Sequence, residues 1–274
     1  MVAPDKPVAA GVDGSEGSGR AALWAAAEAA RRGAGLRLVI VNDDPVRADH
    51  AEQAVHEIAT KCRAHAPDVE VTAEVVTGRP VEELLRLSGA AQLVVLGARG
   101  RGGFTQALLG GVSTGVATQA SCPVVVVRRD VPETAGPVVV GVDDSACSRE
   151  ALRFAYAAAA RLGADLVALE AWHEEGLLAV PLAPPDRDRV QHEVEQSLAK
   201  QTAPLRERYP AVRTREVVQR GHAVSALTDA ARDARLLVVG HRGSGGFDSL
   251  FLGSVAAGVL HHAPCPVAVV RGAG

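Results

Sequence analysis

The sequence predicts an α/β fold with two doubly wound, parallel, five-stranded sheets, one in each half of the chain. Two observations lead to this prediction. The second half of the chain repeats the first, and within each half short apolar segments alternate five times with helical ones. The apolar segments are near-continuous runs of Val, Leu and Ile, as in parallel strands that are covered on both faces.

The repeat can be followed residue by residue. Gly11-Val12-Asp13 returns 130 positions later as Gly141-Val142-Asp143, whereas Gly97 returns 143 positions later as Gly240. The two offsets place an insertion of 13 residues in the second half, within the Pro-rich segment 174–189. A repeat of this length in a chain of 274 residues indicates two whole domains rather than a solenoid.

The domain boundary falls in a polar segment that contains Pro132 and Gly136, a composition typical of linkers. We therefore expect one domain at residues 1–130, a linker at 131–136 and a second domain at 137–274.

The elements of the first half follow in order from these patterns. The body of the first helix is Ala-rich and carries Trp24, and the third helix has Pro80 in its first turn, where proline is tolerated. We expect strands at 8–13, 36–42, 69–76, 93–97 and 123–127, and helices at 17–32, 48–64, 80–87 and 111–119. The second half repeats this order with a longer second helix at about 188–208.

The last strand of each half, 123–127 and 266–270, is a short apolar edge strand, and an open apolar edge favours association. We expect these two strands to pair within the chain, so that the halves form an intramolecular pseudo-dimer. Whether whole chains also form a homodimer is left open.

Composition narrows the function classes. A net charge of −3 gives no basic surface for a nucleic acid, so we expect no nucleic-acid partner. The Ala-rich stretches are too short and too closely flanked by charges to span a bilayer, and no secretory signal is present, so we expect a cytoplasmic protein without membrane contact. The four cysteines lack metal-binding spacing, and a metal at His222 or His261-His262 is not expected.

A glycine-rich loop with the spacing G-x2-G-x9-G follows the fourth strand of each half. Such a loop brings backbone N–H groups close to a ligand, and it ends where a helix begins, at which point unpaired N–H groups and the helix dipole favour an anion. If each sheet has the strand order 3-2-1-4-5, as we expect, the order reverses between strands one and four, so the loop should meet the Gly-Val-Asp string at that point. Two such loops predict nucleotide binding in duplicate. Their glycines are Gly97, Gly100 and Gly110, and Gly240, Gly243 and Gly253.

With these motifs the chain resembles the universal stress protein family. The resemblance rests on the strings 10–15 and 140–145, on the two glycine loops and on the Cys-Pro-Val strand starts at Cys122 and Cys265. It implies the nucleotide-binding α-hydrolase-like fold of that family in tandem, and ATP as the ligand, with Mg²⁺ left open.

The resemblance also implies a role for each position. Asp13 and Asp143 would meet the adenosine end, the backbones of Val41 and Ala171 would flank the adenine, and the glycines would surround the ribose and phosphates. The expected nucleotide contacts are Gly11, Asp13, Val41, Gly97, Arg99, Gly100, Arg101, Gly102, Gly110, Gly111, Val112, Ser113 and Thr114 in the first half, and Gly141, Asp143, Ala171, Gly240, Arg242, Gly243, Ser244, Gly245, Gly253, Ser254 and Val255 in the second.

Several of these residues have a second interpretation. Asp13 and Asp143 could each cap the following helix, and Arg99 and Arg242 could bind loop carbonyls instead of phosphates. The family pattern has a hydroxyl after the last glycine, which the second half keeps as Ser254 and the first half replaces with Gly111. We therefore expect both sites to bind, with unequal affinity.

The sequence favours binding over catalysis. The three lysines, Lys6, Lys61 and Lys200, lie outside the loops, so the lysine-containing loop of P-loop hydrolases is absent. We expect a nucleotide-dependent regulator of stress response or growth, with at most weak ATP hydrolysis and an unknown protein partner. The alternatives are a slow ATPase or nucleotidyl-transferring enzyme that uses the same sites, and a scaffold that binds no nucleotide.

Overall fold

The computed structural model describes residues 6–44, 46, 48–100, 110–128, 136–173, 187–243 and 252–272. The first half contains β1 (Val8–Val12), α1 (Glu16–Arg32), β2 (Leu36–Asn42), α2 (Ala48–His65), β3 (Val71–Thr77), α3 (Pro80–Ala90), β4 (Leu93–Gly97), α4 (Gly111–Gln119) and β5 (Val124–Val127). The second half contains β6 (Val138–Val142), α5 (Ala146–Leu162), β7 (Leu166–Trp172), α6 (Arg187–Arg208), β8 (Thr214–Arg220), α7 (Ala223–Ala230), β9 (Leu236–Gly240), α8 (Ser254–His262) and β10 (Val267–Val270).

The first helix of each half is bounded by residues suited to its ends. The hydroxyl of Ser15 accepts from the backbone N–H of Ser18 at the start of α1, and Ser145 caps α5 in the same way. Gly33 and Gly163 end these helices in the left-handed conformation, with φ of 61° and 58°. These signals explain why the observed limits lie within a few residues of those predicted from the sequence.

The ten strands form one sheet, in the order β3-β2-β1-β4-β5-β10-β9-β6-β7-β8. Within each half all the pairs are parallel and the predicted order 3-2-1-4-5 is confirmed. The halves join through β5 and β10, which pair antiparallel with Val125 opposite Ala268. The expected pairing of the two final strands is therefore confirmed, and it merges the two predicted sheets into one.

The helices cover the sheet in two layers, and each layer runs across both halves. One face carries α1, α2, α5 and α6 over residues such as Val8, Val140 and Ala268. The other face carries α3, α4, α7 and α8 over residues such as Val94 and Val239. Since both faces are covered, the strands are apolar on both sides, as their sequences indicate.

An ionic cluster joins α1 and α5 across the seam, which is the boundary between the two halves where β5 pairs with β10. Glu28 is buried, and its carboxylate accepts from Arg32 Nε at 2.7 Å and lies 3.4 Å from Arg161 Nη2 of the other half. The guanidinium of Arg32 also lies 5.7 Å from the centre of the Phe154 ring. The halves thus share polar as well as strand contacts.

None of the helices in the described ranges is both long enough and apolar enough to cross a membrane.

Candidate functional site

The two motifs of the first half meet at the carboxyl ends of β1 and β4. Asp13 follows β1, and Gly100 lies beside it so closely that a Cβ on Gly100 would fall 2.6 Å from Asp13 Oδ2. The ends of the loop are held together by a bond from Gly110 N to the carbonyl oxygen of Ala98, at 2.9 Å. Gly110 then caps α4, and this brings the helix N-terminus to the same place as the carboxylate.

The second half repeats this geometry. A Cβ on Gly243 would fall 2.7 Å from Asp143 Oδ2. Gly253 N donates to the carbonyl oxygen of His241 at 2.8 Å, and Gly253 caps α8. The same constellation of carboxylate, glycine loop and helix N-terminus therefore occurs twice in the chain.

Serines orient the aspartate that follows the first strand of each half, which we call the loop aspartate. Asp13 Oδ1 accepts from the backbone N–H and the hydroxyl of Ser15, at 3.0 and 2.6 Å, and Asp13 N donates to Ser18 Oγ at 3.2 Å. Asp143 Oδ1 likewise accepts from Ser145 N, at 2.9 Å. The idea that Asp13 and Asp143 cap the helices is therefore wrong, because the serine two residues later is the cap in each half. The aspartates form the turn before the cap.

At some of the glycines, other atoms of the protein occupy the space that a side chain would need. A Cβ on Gly11 would lie 2.7 Å from Leu96 Cδ2 and 2.8 Å from Leu84 Cδ2, and one on Gly141 would lie 2.9 Å from Leu227 Cδ1. Gly11 and Gly141 thus allow close helix–sheet packing, and the expectation that they contact the nucleotide stays a prediction. The ends of β4 and β9 are similarly crowded, because a Cβ on Gly97 or Gly240 would meet the first turn of α1 or α5 at about 3 Å.

Side-chain hydroxyls near the first loop bind the backbone. Ser113 is buried and donates to the carbonyl oxygen of Gly97 at 2.7 Å, and Thr114 Oγ1 donates to that of Gly110 at 3.1 Å. Each hydroxyl therefore donates to the backbone here, and the expectation that Ser113 and Thr114 contact the nucleotide stays a prediction. Gly111 and Val112 stay exposed at the start of α4, and Ser254 is exposed at the start of α8, beside Val255. The hydroxyl at this position is therefore found only in the second half.

Val41 and Ala171 lie near the carboxyl ends of β2 and β7, and their side chains pack toward the layer of α3, α4, α7 and α8. Trp172, the next residue after Ala171, is tied to the long α6, because its Nε1 donates to Gln191 Oε1 at 2.7 Å.

Arg99 and Arg242 lie in the loops directly before Gly100 and Gly243, and the carbonyl oxygen of Arg242 accepts from Ser145 Oγ at 3.4 Å. Four of the expected contacts, Arg101, Gly102, Ser244 and Gly245, lie outside the described residues.

The second site carries two titratable groups that the first lacks. Glu170 stands where the first half has Ile40, and burial together with Asp144 and Asp143 raises the pKa of its carboxyl to about 7. His241 stands where the first half has Ala98. It is 5% exposed, and burial together with Arg271 and Arg242 lowers its pKa to about 4. Sequence reasoning missed both residues, although aligning the halves position by position would have marked them as unpaired substitutions.

Ser18 and Ser148 were missed as well. Both are buried, and each accepts the backbone N–H of the loop aspartate. Their signal in the sequence is the spacing Asp-x-Ser-x2-Ser, which occurs at 13–18 and again at 143–148. Within the described parts of the chain, no group of three or more His, Cys, Asp or Glu side chains is placed to hold a metal ion.

Comparisons with known proteins agree with this architecture. The model of the universal stress protein family matches residues 6–128 and again residues 135–271. The universal stress protein Rv2005c of Mycobacterium tuberculosis is 36% identical over 286 residues, covering 96% of each chain. A second protein from that organism, the universal stress protein Rv1996, is 35% identical over 301 residues, covering 96% of this chain and 94% of its own.

Among solved structures, a universal stress protein from Archaeoglobus fulgidus superimposes with a TM-score of 0.70 at 22% identity, covering 99% of this chain and 98% of the other. This likeness extends the agreement to the fold of the whole tandem. The chain belongs to the universal stress protein family.

Proposed function

We propose that the protein binds an adenine nucleotide, with ATP as the expected ligand, at one site in each half. Its nucleotide state would then regulate a partner in stress response or growth. The observation that supports this most strongly is the duplicated constellation of an oriented aspartate, a glycine loop and a helix N-terminus at the point of strand reversal. Family membership adds to the argument.

Each part of the site has a distinct task in this proposal. The backbone N–H groups at the starts of α4 and α8 bind phosphate oxygens, because the first N–H groups of a helix lack partners within the helix. Asp13 and Asp143, held by the serine turn, accept from the adenosine end. Ser254 supplies the second site with one hydroxyl donor that Gly111 cannot supply to the first, so the second site binds more tightly.

Binding without efficient turnover fits the chemistry of these residues. Neither loop contains a lysine, and lysine is the usual charge clamp for a leaving phosphate. We therefore favour a regulator over the two alternatives, a slow ATPase or nucleotidyl-transferring enzyme and a scaffold that binds no nucleotide.

Calorimetric titration of ATP into nucleotide-free protein tests the binding proposal. We expect two nucleotides per chain for the wild type and one for Gly100→Ala or Gly243→Ala, because the added methyl group displaces the loop aspartate. Gly89→Ala is the matched control: it lies in α3, outside both loops, and nothing lies within 4 Å of its Cβ position, so two nucleotides should still bind. An absence of binding by folded wild-type protein would support the scaffold. Steady release of ADP or AMP on incubation with Mg-ATP would support the enzyme.

A further inference from the structure

Two arginines cross the seam between the halves in a reciprocal way. Arg128 follows β5, and its Nη1 donates to the carbonyl oxygens of Leu260, at 2.7 Å, and of His261, both in the last turn of α8. Arg271 follows β10, and its Nη1 donates to the carbonyl oxygen of Gln119, the last residue of α4, at 2.9 Å. Each guanidinium thus lies at the C-terminal end of a helix that belongs to the other half.

The helices held in this way are the two whose N-termini open into the candidate sites. The last carbonyl groups of a helix lack partners within it, and a cation at that end is favourable. Both α4 and α8 have only nine residues, so a bond at one end constrains the direction of the whole helix axis. The N–H groups at the opposite end then point to a fixed place.

Each arginine is also adjacent to the loop of its own half. The carbonyl oxygen of Val127, directly before Arg128, accepts from Ala98 N at 2.9 Å. That of Val270, directly before Arg271, accepts from His241 N at 2.8 Å. Val127 and Arg128 therefore connect the loop of the first half to α8 of the second. Val270 and Arg271 connect the loop of the second half to α4 of the first.

We propose that Arg128 and Arg271 are positioning residues for the nucleotide site of the opposite half. Arg128 holds α8 and so orders the site around Gly253, and Arg271 holds α4 and so orders the site around Gly110. Each half would then depend on the other for its full affinity. This assignment rests on the proposed function, since it concerns the same two sites.

The test measures each site alone. Gly253→Glu closes the second site, because the new side chain enters the space between the loop and α8, where even a Cβ would lie 3.2 Å from Arg242 Cα. Gly110→Glu places a carboxylate at the start of α4 and closes the first. In the Gly253→Glu background we expect Arg271→Ala to weaken ATP binding by roughly twofold to fivefold, the range for losing an exposed cation at the C-terminal end of a helix. Arg128→Ala should leave this site unchanged.

In the Gly110→Glu background only the second site is open, so Arg128→Ala should weaken ATP binding and Arg271→Ala should leave it unchanged. Arg128→Lys and Arg271→Lys should recover part of the lost affinity, since they keep the charge. Arg63→Ala is the structural control, because it removes a guanidinium bond to the carbonyl oxygen of Val71 at 2.9 Å, on α2 and β3 and so away from both loops. The melting temperature is measured alongside, and Arg63→Ala should lower it without changing either affinity.

The outcomes separate the two proposals. If the wild type binds two nucleotides but each arginine affects the site of its own half, or both sites equally, the positioning assignment is wrong and the proposed function stands. If the folded wild type binds no nucleotide, the proposed function fails, and the assignment fails with it.

Discussion

At the scale of single residues, Glu170 makes the stability of the fold depend on pH. Its pKa of about 7 in the folded chain lies well above its usual value of 4.5, because the carboxyl is half-buried beside Asp144 and Asp143. The folded state therefore holds a proton that the unfolded state loses. Stability should fall as the pH rises from about 4.5 through 7, and the full cost is present above 7.

We expect Glu170→Gln to remove this cost. After allowance for solvent screening at a half-buried site, the variant should gain about 1–2 kcal/mol of unfolding free energy at pH 8 and clearly less at pH 5. Urea denaturation at the two pH values measures the difference. Glu193→Gln is the control, since the side chain of Glu193 is 59% exposed, and it should change stability little at either pH. An equal gain from Glu170→Gln at both pH values would contradict the argument.

At the scale of elements, the contact between α1 and α5 depends on Glu28. Replacing it with alanine leaves Arg32, whose side chain is 8% exposed, and Arg161 without their shared carboxylate. We expect Glu28→Ala to lower the unfolding free energy by about 3 kcal/mol, as when one member of a buried ion pair is removed. Chemical denaturation measures this loss.

The matched control lies in the same helix. Glu16 also pairs with the arginine four residues later, but its side chain is 89% exposed, so Glu16→Ala should cost less than about 1 kcal/mol. Equal losses of unfolding free energy for the two variants would mean that burial does not increase what the ion pairs of Glu28 contribute to stability.

The sequence was informative about elements wherever the signal was local. Ser15 and Gly33 mark the ends of α1, and the repeat of Gly11-Val12-Asp13 and of the glycine loops predicts two domains whose motifs meet once the strand order is 3-2-1-4-5. It was uninformative where the cause is a distant contact. The leucines against Gly11 and the crossing of Arg128 to α8 join residues far apart in the chain, and no pattern of spacing records them.

At the scale of the whole molecule, the seam should hold the halves together without the linker. The antiparallel pairing of β5 with β10, the Glu28 cluster and the crossed arginines all join one half to the other directly. We expect a chain cut at a protease site inserted within 131–136 to elute as a single particle of unchanged size at micromolar concentration in size-exclusion chromatography. Separate half-size species would show that the linker, and not the seam, maintains the assembly.

The antiparallel seam also decides which way the two sites face. Since β5 and β10 run in opposite directions, the carboxyl edge of one half and that of the other lie on opposite rims of the ten-stranded sheet. Under the proposed function, a small partner that docks at one rim would contact one nucleotide only, and the other rim would stay open to a second copy of that partner. With a nucleotide at both sites, the chain would then have two docking surfaces. The number of partner molecules bound per chain, and not only the affinity for one of them, would rise with the nucleotide concentration.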